Sequence, residues 1–143
     1  MDFDVVPKKD LMNERAILFV MPDGSNAEGM IQYRDQDSSH WMRVVIGDVE
    51  VIGDGGDDFD SLAKARGRLA GKGIFPKCYS ASKKVWPSAM SRDMGSGLKA
   101  YKIELGKPGT EIVSIFDSGD DVEPATPEEQ KVFAEQWLDS LGR

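Results

Sequence analysis

Residues 41–52 read W-M-R-V-V-I-G-D-V-E-V-I. Two runs rich in β-branched side chains, 41–46 and 49–52, are separated by Gly47-Asp48 alone. Valine, isoleucine and tryptophan fit a pleated, half-buried surface, and a two-residue Gly-Asp link suits a tight antiparallel hairpin. A bulge inside one long strand leaves the same signature. Both readings make this part of the chain β structure.

Upstream, residues 16–21 (A-I-L-F-V-M) form a continuous apolar run, the pattern of a strand buried on both faces. Pro22-Asp23-Gly24-Ser25 marks a turn, residues 29–34 (G-M-I-Q-Y-R) read as the next strand, and 35–39 read as a polar loop. Downstream, the Asp/Gly-rich stretch 54–58 ends the β-rich part and residues 59–72 predict a helix. Phe59, Leu62, Arg66, Leu69 and Ala70 recur at three- and four-residue steps, with the aliphatic stem of Arg66 extending the stripe. Asp58 or Asp60 is placed to cap its start, while Lys72 and Gly73 suit its end. Gly67 and Gly71 oppose this helix by about 1 kcal/mol each.

Residues 75–80 look like a strand. Residues 98–105 and 110–117 look like the arms of a hairpin joined by Gly106-Lys107-Pro108-Gly109, with Tyr101, Ile103 and Leu105 alternating with Lys102 and Glu104. Thr126-Pro127-Glu128-Glu129 is a strong helix start: a capping threonine, proline at the first helical position, and a glutamate that completes a capping box. Phe133, Trp137 and Leu141 recur every four residues behind it. The order β-β-β-β-α-β-β-β-α predicts an α+β fold with a mainly antiparallel sheet of about six to seven strands and two helices. The expectation is one domain over 1–143, with 1–14 as a poorly ordered amino-terminal arm.

The chain has 143 residues, of which 40% are hydrophobic and 30% charged, enough apolar material for a core. Its longest apolar run is six residues, and a membrane span needs about 20. The amino terminus lacks the basic-then-apolar layout of a secretory signal. A single cysteine, Cys78, excludes an internal disulfide framework and a multi-cysteine zinc site. The expectation is a soluble, cytoplasmic, acidic protein.

The net charge of −7 is strongly segregated. Residues 1–57 carry 12 acids and 5 bases, residues 58–107 carry 4 acids and 11 bases, and residues 108–143 carry 9 acids and 2 bases. The bland reading is that the basic block lies beside the acidic ones and is neutralised there. The functional reading is a basic face for an anionic ligand or an acidic partner. Duplex DNA is disfavoured by a pI near 4.7.

Several motif-like stretches fail on context. Gly95-Ser96-Gly97-Leu98-Lys99-Ala100 matches G-x-G-x-x-A, but no apolar strand precedes it and an alternating pattern follows where a helix is needed. Residues 67–73 are one residue short of a phosphate loop and lack its serine or threonine. The acidic clusters Asp54, Asp57, Asp58, Asp60 and Asp117, Asp120, Asp121, Glu123 lack the spacing of a calcium loop and read as caps and solvated loops. His40 is the only histidine. With Cys78 it would make a nucleophile–base pair only if the fold joined them, and a strand cysteine is more often core. No cofactor, metal or catalytic set is expected, which ranks binding above catalysis.

Residues 80–97 (S-A-S-K-K-V-W-P-S-A-M-S-R-D-M-G-S-G) show neither helical nor strand periodicity. Ordered connections of this length are often binding segments. This one mixes Trp86, Met90 and Met94 with Ser88, Ser91, Arg92 and Asp93, with Tyr79 and Tyr101 at its ends. Large apolar groups beside hydrogen-bonding groups are what a contact surface or small pocket needs. The bland alternative folds the tryptophan and methionines inward, over a short helix. The leading functional reading is a small bacterial-type protein acting by protein contacts, as an inhibitor, immunity-type protein or adaptor. Its binding residues are Tyr79, Trp86, Ser88, Met90, Arg92, Asp93 and Met94. One alternative is a small enzyme or ligand-binding domain with a pocket walled by 80–97. Another is single-stranded nucleic-acid binding through the basic 64–107 block, with Lys77, Lys83, Lys84, Arg92 and Lys99 beside Tyr79 and Trp86.

Overall fold

A computed structural model describes residues 12–34 and 40–142. Four strands, β1 (Met12–Val20), β2 (Asn26–Arg34), β3 (Trp41–Ile46) and β4 (Val49–Asp54), run antiparallel and precede helix α1 (Asp58–Ala70). A two-residue strand β5 (Phe75–Pro76) joins β1, giving the sheet order β4-β3-β2-β1-β5. Then come a 3-10 turn (Tyr79–Ala81), β6 (Val85–Trp86), a short helix α2 (Ala89–Met94), β7 (Lys99–Lys102) and β8 (Ile112–Ser114). The last element is helix α3 (Pro127–Ser140). The α+β class and antiparallel pairing read from the sequence hold. Among the described residues the strands divide into a five-stranded and a three-stranded sheet, the latter ordered β6-β7-β8, and α2 adds a third helix.

Gly47-Asp48 forms a true hairpin turn, with Gly47 at φ +57°, and Val44 faces Val51 across it. The run 16–21 behaves differently from the doubly buried strand expected of it. Ile17 and Phe19 are buried, while Leu18 between them is 47% exposed, because among the described residues no helix packs on the sheet face that Leu18 shares with Glu14. On that face a polar chain crosses four strands: Gln32 donates to Glu14, and Arg43 donates to both Gln32 and Glu50. The opposite face buries Ile17, Phe19, Ile31, Met42, Val44 and Val51 against Phe59, Leu62, Ala65 and Leu69 of α1. α1 presses so closely on β4 that a Cβ at Gly53 would run into the Ser61 carbonyl.

The cap of α1 is Asp57, whose side chain accepts from Asp60 N, so the helix begins one residue earlier than its apolar stripe implies. Arg66 is not a stripe-extending stem with a solvated head; the whole side chain is buried. The strand expected over 75–80 ends at Pro76, where the chain leaves the sheet. Tyr79 N and Ser80 N donate to the carbonyls of Asp117 and Ile115 instead. The arms of the later hairpin are shorter than 98–105 and 110–117, and Gly106 at φ +81° turns the connection between them. At α3 the capping box is complete: Thr126 accepts from Glu129 N while Glu129 accepts from Thr126 N. Phe133 and Trp137 are buried against Ile103, with Trp86 and Tyr101 alongside, but Leu141 lies past the helix end and is 40% exposed. Residues 1–11 of the arm expected over 1–14, and the loop expected over 35–39, lie outside the described residues; residues 12–14 begin β1.

Candidate functional site

The segment 80–97 is held from below by a buried polar network. Arg66 Nη1 donates to Ser80 O and Gln130 Oε1, and Nη2 donates to Ala125 O, all at 2.8–2.9 Å. Gln130 Nε2 donates in turn to the carbonyls of Ser80, Ser82 and Val85. These bonds fix the backbone entering β6, because buried carbonyls left without donors are costly. Burial lowers the Arg66 pKa to about 10. Nearby Cys78 is fully enclosed, its sulfur 3.4 Å from Ser80 Oγ, and burial pushes its thiol pKa up. Inert thiols have such surroundings. His40 faces a different partner, with Nδ1 3.6 Å from Asp58 Oδ1, so Cys78 and His40 have separate environments.

Beyond Val85 the chain presents Trp86, paired across strands with Tyr101. Phe59 meets the Trp86 ring edge-on at 5.6 Å. The Arg92 guanidinium lies 5.2 Å from the Phe59 centroid and 5.3 Å from that of Trp86, and its Nη1 donates to Asp57 Oδ2 at 3.2 Å. The carboxylate that caps α1 thus also anchors α2. Ser88 caps α2 by accepting from Ser91 N, and Ser91 Oγ donates to Lys99 O.

Trp86, Ser88 and Arg92 are brought together on one cavity of about 420 Å³ between α2 and α3, shared with Tyr101, Trp137 and Leu138. Across Trp86 and Arg92 lies a second groove, of about 300 Å³, reaching Phe59, Gln130 and Lys131. Met90, Asp93 and Met94 point outward; Met90 is 70% and Met94 83% exposed, so the bland reading that both methionines fill the core does not describe them. Tyr79 is placed elsewhere. It is buried, its hydroxyl donates to Asp121 at 2.8 Å, and the Lys102 ammonium sits 5.0 Å from its ring centroid. The bond to Asp121 raises the Tyr79 pKa. Lys102 also pairs with Glu111 and Asp121, and Lys84 with Glu123. Lys64 pairs with Asp60, Arg68 donates to Ile52 O, and Lys83 lies over the Phe133 ring. Much of the basic block is therefore spent internally.

Sequence reasoning missed Asp57, Phe59, Trp137 and Leu138 as neighbours of this region. The four-residue stripe of α3 did mark Trp137 as facing inward, but nothing local shows that its ring also borders a cavity. Among the described residues no His, Cys, Asp or Glu side chains are grouped to hold a metal ion, and no helix is long and apolar enough to cross a membrane. Comparison with protein-family models finds no match, and neither does comparison with curated protein sequences.

Proposed function

We propose that the protein acts by contact with another protein, in the manner of an inhibitor, immunity-type protein or adaptor, through the outward side of α2. The observation that supports this reading is the exposure of Met90 and Met94, 70% and 83%, on a helix pinned from behind by Arg92 and Asp57. Two large apolar side chains four residues apart share a helix face, and removing them from water on docking is favourable. Methionine adapts its shape to a partner surface. Arg92 and Trp86 behind them are residue types that carry binding energy in protein interfaces, and exposed Asp93 adds a polar rim. A reducing compartment such as the cytoplasm suits the free, buried Cys78.

The test retains partners from the native host on three tagged chains: the parent, the Met90→Glu/Met94→Glu double variant, and Leu18→Glu on the sheet face opposite α1. The expected result is a partner held by the parent and Leu18→Glu but lost by the double variant. A partner held equally by all three contradicts the reading.

A further inference from the structure

The cavity between α2 and α3 has an unusual lining. Trp86, Tyr101 and Trp137 contribute rings, while Pro87, Ala89 and Leu138 complete an apolar wall around about 420 Å³. That volume suits a small organic ligand. Ser88, Arg92 and Tyr101 bring polar atoms to its wall, and among the described residues no carboxylate lines it. Asp57 orients Arg92 without bordering the cavity, and the hydrogen bond between them runs from Nη1 alone. A guanidinium has five N–H donors, so Arg92 keeps others to offer. Ser88 Oγ accepts from Ser91 N, which leaves its own proton free to give. A cation entering here would meet the Arg92 guanidinium first, with Asp57 set behind it and off the cavity wall. A neutral hydrocarbon would strip these donors of water and give nothing back.

We infer that this cavity binds an aromatic carboxylate, its ring among Trp86, Tyr101 and Trp137 and its carboxylate on Arg92 and Ser88. A planar guanidinium matches the two oxygens of a carboxylate, and aromatic pairs add to the burial of their area. Met90 and Met94 are not among the cavity walls, so the exposed methionines of the proposed docking face lie outside this site, although Trp86 and Arg92 behind them belong to its wall.

The chain has three tryptophans, and each gives one indole N–H signal in the full-length, ¹⁵N-labelled protein. On titration with 2-naphthoate, the Trp86 and Trp137 signals should shift together and saturate. The Trp41 signal, identified by Trp41→Phe, should stay in place. 2-Naphthamide keeps the rings without the charge and should bind at least about tenfold more weakly, the factor expected for losing a charged hydrogen bond. Arg92→Met should weaken naphthoate by the same factor and 2-naphthamide by much less, so that the preference for the acid is lost. Equal affinity for acid and amide, movement of all three indole signals, or movement of none overturns the inference. The comparison of ligands needs no variant, so it decides even if Arg92→Met fails to fold. The Met90→Glu/Met94→Glu chain should bind naphthoate as the parent does, so failure of the cavity and failure of the docking face are distinguishable.

Discussion

Arg66 Nη1 donates to Gln130 Oε1 at 2.8 Å, so two buried side chains 64 residues apart tie α1 to α3. Their remaining bonds hold the backbone of 80–85 and Ala125, which makes this pair the internal frame of the candidate site. Arg66→Met removes three donors and strands the acceptors they served. We expect a loss of about 3 kcal/mol in urea unfolding, in the range for breaking a buried polar network. A loss under about 1 kcal/mol would mean the network contributes little to holding the fold.

Trp137 is 8% exposed, and its indole donates to Lys107 O at 2.7 Å. Trp137→Ala removes a buried ring and a hydrogen bond at once. The expected cost is about 3–5 kcal/mol by denaturant melt, enough to unfold many domains of this size. A nearly unchanged midpoint would show that α3 is peripheral.

The edge of β4 is occupied by side chains from α1. Arg68 donates to Ile52 O at 2.7 Å and Lys64 to Asp54 O at 3.1 Å. Unpaired edge carbonyls are templates for another strand. The Lys64→Ala/Arg68→Ala double variant should therefore self-associate with rising concentration in sedimentation velocity, while the parent does not. Identical profiles for the two chains would show that these side chains do not protect the edge.

Two carboxylates link stability to pH. The Thr126 backbone N–H, and then its hydroxyl, hold the Glu129 pKa below the ordinary carboxylate value; Lys102, and then Tyr79, do the same for Asp121. A carboxylate with a lowered folded-state pKa stabilises the fold at neutral pH. That contribution disappears as pH falls through the folded-state value, where the native form must also take up the proton. Melting temperature should fall on acidification below the carboxylate range. Glu129→Gln and Asp121→Asn should flatten this fall and lower the melting temperature at neutral pH. Parallel pH curves for parent and variants would remove these groups from the account.

The parts of the fold legible in the sequence are those with local causes. The 41–52 hairpin follows from its two-residue turn, and α3 follows from a capping box within four residues. The three-stranded sheet was harder to read, because Val85–Trp86 is too short to show a period and its partner Tyr101 lies beyond α2. Residues 80–97 look irregular because they pack a turn, a two-residue strand and a six-residue helix end to end. Arg66 reads as a surface residue until the carbonyls of Ser80 and Ala125 close around it. Tyr79 was grouped with the binding residues, but its partner Asp121 lies 42 residues away and draws the hydroxyl inward. Trp86, Ser88 and Arg92 do share one cavity, and their nearness in sequence made that readable.

The most direct test of the docking face is amide hydrogen exchange on the full chain, free and with the partner that the parent retains from its host. Strong added protection is expected over residues 88–98, with β1–β4 unchanged. Protection appearing instead across β1–β4, with 88–98 exchanging as in the free chain, would contradict the account.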